Sequence, residues 1–182
     1  MKVIKTDIKD LLIIEPNVFG DYRGWFSETY NEKVFKDNGI DIIFKQDNHS
    51  YSKLKGVLRG LHFQNEPYAQ SKLVRCTKGK IWDVAVDLRK SSPTYLKWIG
   101  IELTPENHKM FFIPQGFAHG FITLEDNSEV QYKVDNLYNS DTDRAIQYND
   151  LDINVIWPSN EVILSEKDKK APTLKDSDVN FK

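Results

Sequence analysis

A single cysteine, Cys76, stands in 182 residues, so no intrachain disulfide can form, and a reducing cytosolic compartment suits the chain best. Long apolar runs are absent as well. The longest aliphatic stretch, residues 11–14, falls far short of the ~20 residues that span a bilayer. The opening MKVIKTDIKD sets acids where a secretory signal needs an unbroken apolar segment. Charge of one sign is missing too: the net value is −2, with lysines and acids interspersed. Such a chain offers no basic field to draw in nucleic acid or a membrane surface, so any anion must be held at a local site. Neither a fixed-period repeat nor a linker interrupts it, which predicts one domain over residues 1–182.

What is present is a succession of short extended segments. Residues 4–18 read as strand up to an edge or turn at Pro16, and Gly20-Asp21 and Arg23-Gly24 signal turns before the apolar Trp25, Phe26 and Tyr30. One helix is predicted in the first two thirds, Glu32–Asp37, capped by Asn31 and stopped by Asn38-Gly39. Residues 40–51 read as a strand turning polar at Gln46. Residues 72–80 and 81–88 read as a hairpin about Lys78-Gly79, the second arm alternating Trp82, Val84, Val86, Leu88 with Asp83, Ala85, Asp87. Further strands are expected over 95–103, within the Pro- and Gly-punctuated run 110–124, and over 129–134. Strands near ten residues apart with little helix predict an all-β fold, a closed barrel or jelly-roll sandwich with few short helices. Its edges favour pairing with a second copy.

The densest chemistry lies in residues 56–64, GVLRGLHFQ. Leu58, Leu61 and Phe63 suit a core, while Arg59 and His62 each need water, a partner or a substrate. Positions three apart on a regular strand face opposite ways, but a bulge at Gly60 would bring both to one side, an anion-binding group beside a titratable one. The other reading is an ordinary core strand with a hydrogen-bonded histidine.

DYRGWFSE, RGLHFQ, KLVRCTKGKIWDVAVDLRKSSPTY, IPQGFAHGF, QYKVDNLY and LSEKDKKAP, in that order, resemble the dTDP-4-dehydrorhamnose 3,5-epimerase family from residue 21 to the tail. The resemblance implies a cupin-type jelly roll, usually a homodimer, and an enzyme needing neither metal nor redox cofactor, which fits the cytoplasmic setting expected from the single cysteine. It also implies inversion of C3 and C5 of dTDP-4-dehydro-6-deoxy-D-glucose to dTDP-4-dehydro-L-rhamnose. A C4 ketone acidifies both neighbouring C–H bonds, because the carbanion becomes an enolate. Inversion then needs a base on one face, an acid on the other and a positive donor at oxygen. By resemblance His62 is the base, Asp168 its carboxylate partner, Tyr132 the proton donor and Lys72 the cation near the ketone. Arg23 and Arg59 match diphosphate ligands, and Tyr138 a ring that stacks on thymine. Phe26, Glu28, Gln46, Asn48, His119 and Lys167 match other substrate contacts. Asp143 replaces the family's commoner Glu, one methylene shorter, which bears on base specificity.

Other readings have their own signatures. Metal-binding jelly rolls want three or four converging His or Glu ligands, often two histidines one residue apart, whereas Gln64 follows His62 at that spacing; no metal is expected. Asp168 sits in a run of charges, 166–170, of the kind usually found on a solvated surface, and His49 and His108 read as structural or exposed. Rival functions are an epimerase inverting one centre, one taking another nucleotide-linked 4-keto sugar, and a non-catalytic sugar-binding jelly roll.

Overall fold

The computed structural model describes residues Met1–Lys182. One sheet has six strands in the order β1 (Lys2–Lys5), β2 (Leu12–Glu15), β10 (Met110–Ile113), β7 (Lys72–Lys78), β12 (Ser128–Val134) and β5 (Gln46–Ser52). The other runs β13 (Asp143–Ala145), β6 (Leu58–Gln64), β11 (Phe117–Thr123), β8 (Ile81–Asp87) and β9 (Trp98–Leu103). A separate hairpin joins β3 (Val18–Asp21) to β4 (Gly24–Ser27). The two helices are α1 (Glu32–Asp37) and α2 (Glu166–Lys169). From β5 onward nearly every connection crosses from one sheet to the other, as in a cupin-like jelly roll, with antiparallel ladders throughout.

Several sequence expectations are met locally. Asn31 caps α1 by accepting from the Val34 amide at 3.2 Å, and Phe35 is the residue this helix buries. Burying such a ring stabilises the fold by roughly 2–3 kcal/mol. Gly60 does mark a bulge: Arg59 pairs with Phe121 and His62 with His119, so β6 has one residue more than β11 over that interval. Gly60 has φ +142°, and a Cβ there would lie 2.6 Å from the Gly120 Cα. Two facing glycines let the strands approach this closely.

Four expectations need correction. Residues 72–88 do not form a hairpin: β7 pairs with β10 and β12, β8 with β11 and β9, and Lys78-Gly79 carries the chain across the sandwich. Gly79, at φ +70°, suits that crossing. Residues 40–45 are not strand. Ile40, Ile42 and Phe44 turn instead into the cluster of Ile14, Phe35 and Met110, and the ladder begins only at Gln46. Gly20-Asp21 lies within β3, and the turn falls at Tyr22-Arg23; the strand expected from residue 95 starts at Trp98.

The alternation in β8 separates two buried faces. Ile81 and Ala85 face the other sheet in one cluster, while Val84, Val86 and Leu88 pack under the C-terminal segment carrying Val179 and Phe181. The carboxylates of Asp83 and Asp87 are therefore wholly buried. Asp87 is satisfied there by Arg89, Ser92 and Thr94. Between the sheets, apolar packing fills one end and a polar cavity occupies the other.

Candidate active site

The cavity holds about 840 Å³ and is walled by both sheets and by residues 163–168. From the five-stranded sheet, β6 contributes Arg59 and His62, and β11 contributes His119 and Phe121. From the facing sheet come Lys72 on β7, Tyr132 on β12, and Gln46, Asn48 and Ser50 on β5. Alternation explains the set. Lys72 and Tyr132 share the inward phase of Val74 and Val130, whereas Arg75 and Gln131 point outward and bond each other at 2.6 Å.

His62 Nε2 lies 2.5 Å from Asp168 Oδ1. The Ser165 hydroxyl, N-cap of α2, donates to the other Asp168 oxygen at 2.7 Å and accepts from the Asp168 amide at 3.1 Å. Burial pushes the Asp168 carboxyl up, but the bonds from His62 and Ser165 outweigh it and hold the group below the ordinary carboxylate range. An ionised carboxylate only accepts, so His62 carries its proton on Nε2 and presents the Nδ1 lone pair. Asp168 is 4% exposed, not the solvated residue its charged neighbours suggest. The spacing Ser165-x-x-Asp168 is a helix-capping signature, the signal by which α2 could have been read.

Lys72 is buried, and its ammonium makes no hydrogen bond or ion pair with the protein. Desolvation brings its pKa from 10.5 to about 8, against the charges of Asp83 and Asp143. Burial also raises the Tyr132 phenol, with the Arg59 charge opposing, so the hydroxyl keeps its proton at neutral pH. Arg59 is anchored by its Nη2 to the Tyr51 carbonyl at 3.2 Å. At the rim Asp143 accepts from Lys167 at 2.5 Å and from the Tyr138 hydroxyl at 3.2 Å. The Tyr138 amide donates to Gln46, whose own amide donates to Asn48 at 2.9 Å. The short Asp143 side chain thus still ties the exposed Tyr138 ring to the cavity mouth.

Eleven of the fourteen residues named from sequence line this one cavity. Arg23, Phe26 and Glu28 do not. Arg23 lies in the turn of the β3–β4 hairpin, Phe26 on β4 and Glu28 just beyond it, all outside the cavity walls, and Arg23 is bound to Asp21 at 2.6 Å. The hairpin pairs only with itself, which is why these side chains stand clear of the sandwich. His49 is exposed beside Glu129, and His108 stacks edge-on against Trp25. Sequence reasoning missed Ser165 and also Asp83, which bonds His119 Nε2 at 2.7 Å.

A jelly roll with an imidazole, a phenol and an ammonium converging on one cavity has the build of a cupin-type isomerase. The sequence profile of the dTDP-4-dehydrorhamnose 3,5-epimerase family matches residues 5–176. The chain therefore belongs to that family. It is 54% identical over 179 residues to dTDP-4-dehydrorhamnose 3,5-epimerase of Shigella flexneri, covering 98% of each chain. The Bacillus anthracis enzyme of the same name, solved with TDP and PPi bound, superimposes with a TM-score of 0.93 at 48% identity, over 95% of this chain and 99% of that one. A Legionella pneumophila dTDP-6-deoxy-D-glucose-3,5-epimerase in complex with dTDP-4-keto-L-rhamnose gives a TM-score of 0.93 at 43% identity, over 97% and 94%.

Proposed function

We propose that the cavity inverts C3 and C5 of dTDP-4-dehydro-6-deoxy-D-glucose to give dTDP-4-dehydro-L-rhamnose, with His62 as base, Lys72 at the enolate oxygen and Tyr132 as acid. The observation that carries this reading is that His62 and Tyr132 reach one cavity from opposite sheets, with the Lys72 ammonium in the same space. The proton on the carbon beside the ketone passes to His62 Nδ1, and the electron pair of the broken C–H bond delocalises onto the C4 oxygen. Lys72 stabilises that oxygen more as enolate than as ketone, the difference that lowers a barrier. Tyr132 then gives its phenolic proton to the opposite face of the carbon. Imidazolium and phenolate are reset by exchange with water, so solvent hydrogen enters each inverted centre. Arg59, with Lys167 at the rim, offers positive charge to the diphosphate, and Tyr138 a ring to the base.

Turnover in D2O tests this: the expected product carries one deuterium at C3 and one at C5. In Tyr132→Phe the base and the cation are untouched, so C–H exchange continues while inversion falls ~10²-fold or more. Full inversion by that variant would remove Tyr132 from the reaction.

The enzyme acts, in this reading, as a homodimer in which each β3–β4 hairpin completes the partner's cavity. Phe19, Trp25 and Phe26 are 62%, 60% and 68% exposed, an apolar cover in search of a surface. Arg23 and Glu28, which the resemblance makes substrate ligands, do not line the catalytic cavity of their own protomer. Mixing inactive Arg23→Ala and His62→Ala variants should restore activity. Half the random dimers are mixed and one site in two is then intact, so recovery approaches about a quarter of wild type. A mixture that stays inactive after exchange of protomers would show that the hairpin serves its own chain.

A further inference from the structure

Asp83 and Asp87 stand four residues apart on β8, both fully buried, and differ in what holds them. Asp87 has both oxygens bonded, to Arg89, Ser92 and Thr94. Asp83 has one, Oδ1, on His119 Nε2 at 2.7 Å; its Oδ2 has no hydrogen-bond partner in the protein. A buried carboxylate left half-satisfied is a poor stabilising device. Asp83 therefore differs from its neighbour in purpose as well as in bonding.

We propose that Asp83 is a positioning residue for the epimerisation described above. Through its bond to His119 it turns the Nδ1 lone pair of that ring toward the sugar, and its buried charge holds the Lys72 ammonium in the charged form. The register supports the first part, and the inward phases of Asp83 on β8 and Lys72 on β7 set both side chains between the two sheets, which supports the second. His119 pairs with His62 on one side and Ala85 on the other, and Asp83 lies diagonal to it on the inward face of β8. His119 thus sits between Asp83 and His62 on the cavity floor. Burial holds the His119 imidazole below its ordinary pKa despite the carboxylate, so the ring is neutral. With Nε2–H given to Asp83, its Nδ1 can only accept, which suits a sugar hydroxyl. The charged groups facing Lys72 are Asp83 from β8, Asp143 from β13 and Lys167 from α2, and Asp83 opposes desolvation most strongly. Asp143 is already bonded to Lys167, whereas Asp83 has no cation in contact and bonds only the neutral His119 ring.

The test is the pH profile of kcat for Asp83→Asn, a change that keeps size and shape. Wild-type kcat should hold level up to about pH 8 and decline above it as Lys72 loses its proton. In the variant the decline should begin about one pH unit lower, with KM within about twofold of wild type. At pH 8 this is a loss of several-fold that narrows as the pH falls. A purely structural role would lower stability without moving that limb, so superimposable profiles overturn the proposal. Nitrogen NMR of histidine-labelled wild-type enzyme reads the other half without any variant: His119 is expected as the neutral Nε2–H tautomer, and an Nδ1–H tautomer or imidazolium at pH 7 overturns it. The inference rests on the function proposed above, yet the two fail separately. A wild type without C–H exchange ends that reading, while normal wild-type turnover with an unmoved Asp83→Asn profile ends this one alone.

Discussion

His62→Asn is expected to reduce kcat by ~10²- to 10⁴-fold while leaving KM close to wild type and the fold intact. The asparagine amide can keep one hydrogen bond to Asp168, but it has no basic nitrogen to take a proton from carbon. Substrate contacts through Arg59, Gln46 and Lys167 are unchanged, so binding survives. Deuterium incorporation separates this variant from Tyr132→Phe. Without the base neither exchange nor inversion proceeds, whereas without the acid exchange outlasts inversion. A His62→Asn enzyme within tenfold of wild-type kcat would mean that another group removes the proton. His119 would be the first to test, since it pairs directly across the ladder with His62.

The site could be read from the sequence to the extent that its chemistry is local. Gly60 between Arg59 and His62 signalled a bulge, and the bulge is what turns both side chains into one cavity. The caps of α1 were equally legible, because a short side chain and a nearby amide decide them. Pairing over long distances was not. Residues 72–88 carry every mark of a hairpin, and only the competition of β10, β12, β11 and β9 for their edges separates the two arms. The apolar residues 40–45 match a strand pattern, yet burial beneath the large sheet beside α1 outweighed the ladder. Asp168 was hidden by its neighbours: Glu166, Lys167 and Lys169 are solvated, and the one residue that turns inward is charged as they are, though not all of one sign. Asp83 was hidden by periodicity, since an acid alternating with valines looks like the wet face of a strand until the second sheet covers it. The hairpin residues Arg23, Phe26 and Glu28 carry the resemblance but lie outside the cavity, which is why their role passes to a second protomer in the function proposed above.

Lys72→Met is expected to make the protein more stable and the enzyme nearly inactive, with kcat down ~10²- to 10³-fold. The two effects share one cause. An ammonium held at about 8 instead of 10.5 costs the folded state on the order of 3 kcal/mol at neutral pH. Methionine fills a similar volume with no charge to desolvate, so unfolding free energy at pH 7 should rise by on the order of 1–3 kcal/mol. Linkage fixes the sign of the pH dependence. Below pH 8 the lysine is charged in both the folded and unfolded states, and the folded chain bears the whole penalty. Between pH 8 and 10.5 the folded lysine gives up its proton while the unfolded chain still holds one, so wild-type stability gains relative to the variant. Denaturant unfolding of both proteins at pH 7 and pH 10 should therefore show an advantage for Lys72→Met that narrows as the pH rises. A variant less stable than wild type at pH 7, or an advantage independent of pH, would mean that the ammonium is well solvated or paired in the folded state. It would then no longer be the unsatisfied charge that the enolate oxygen is proposed to meet.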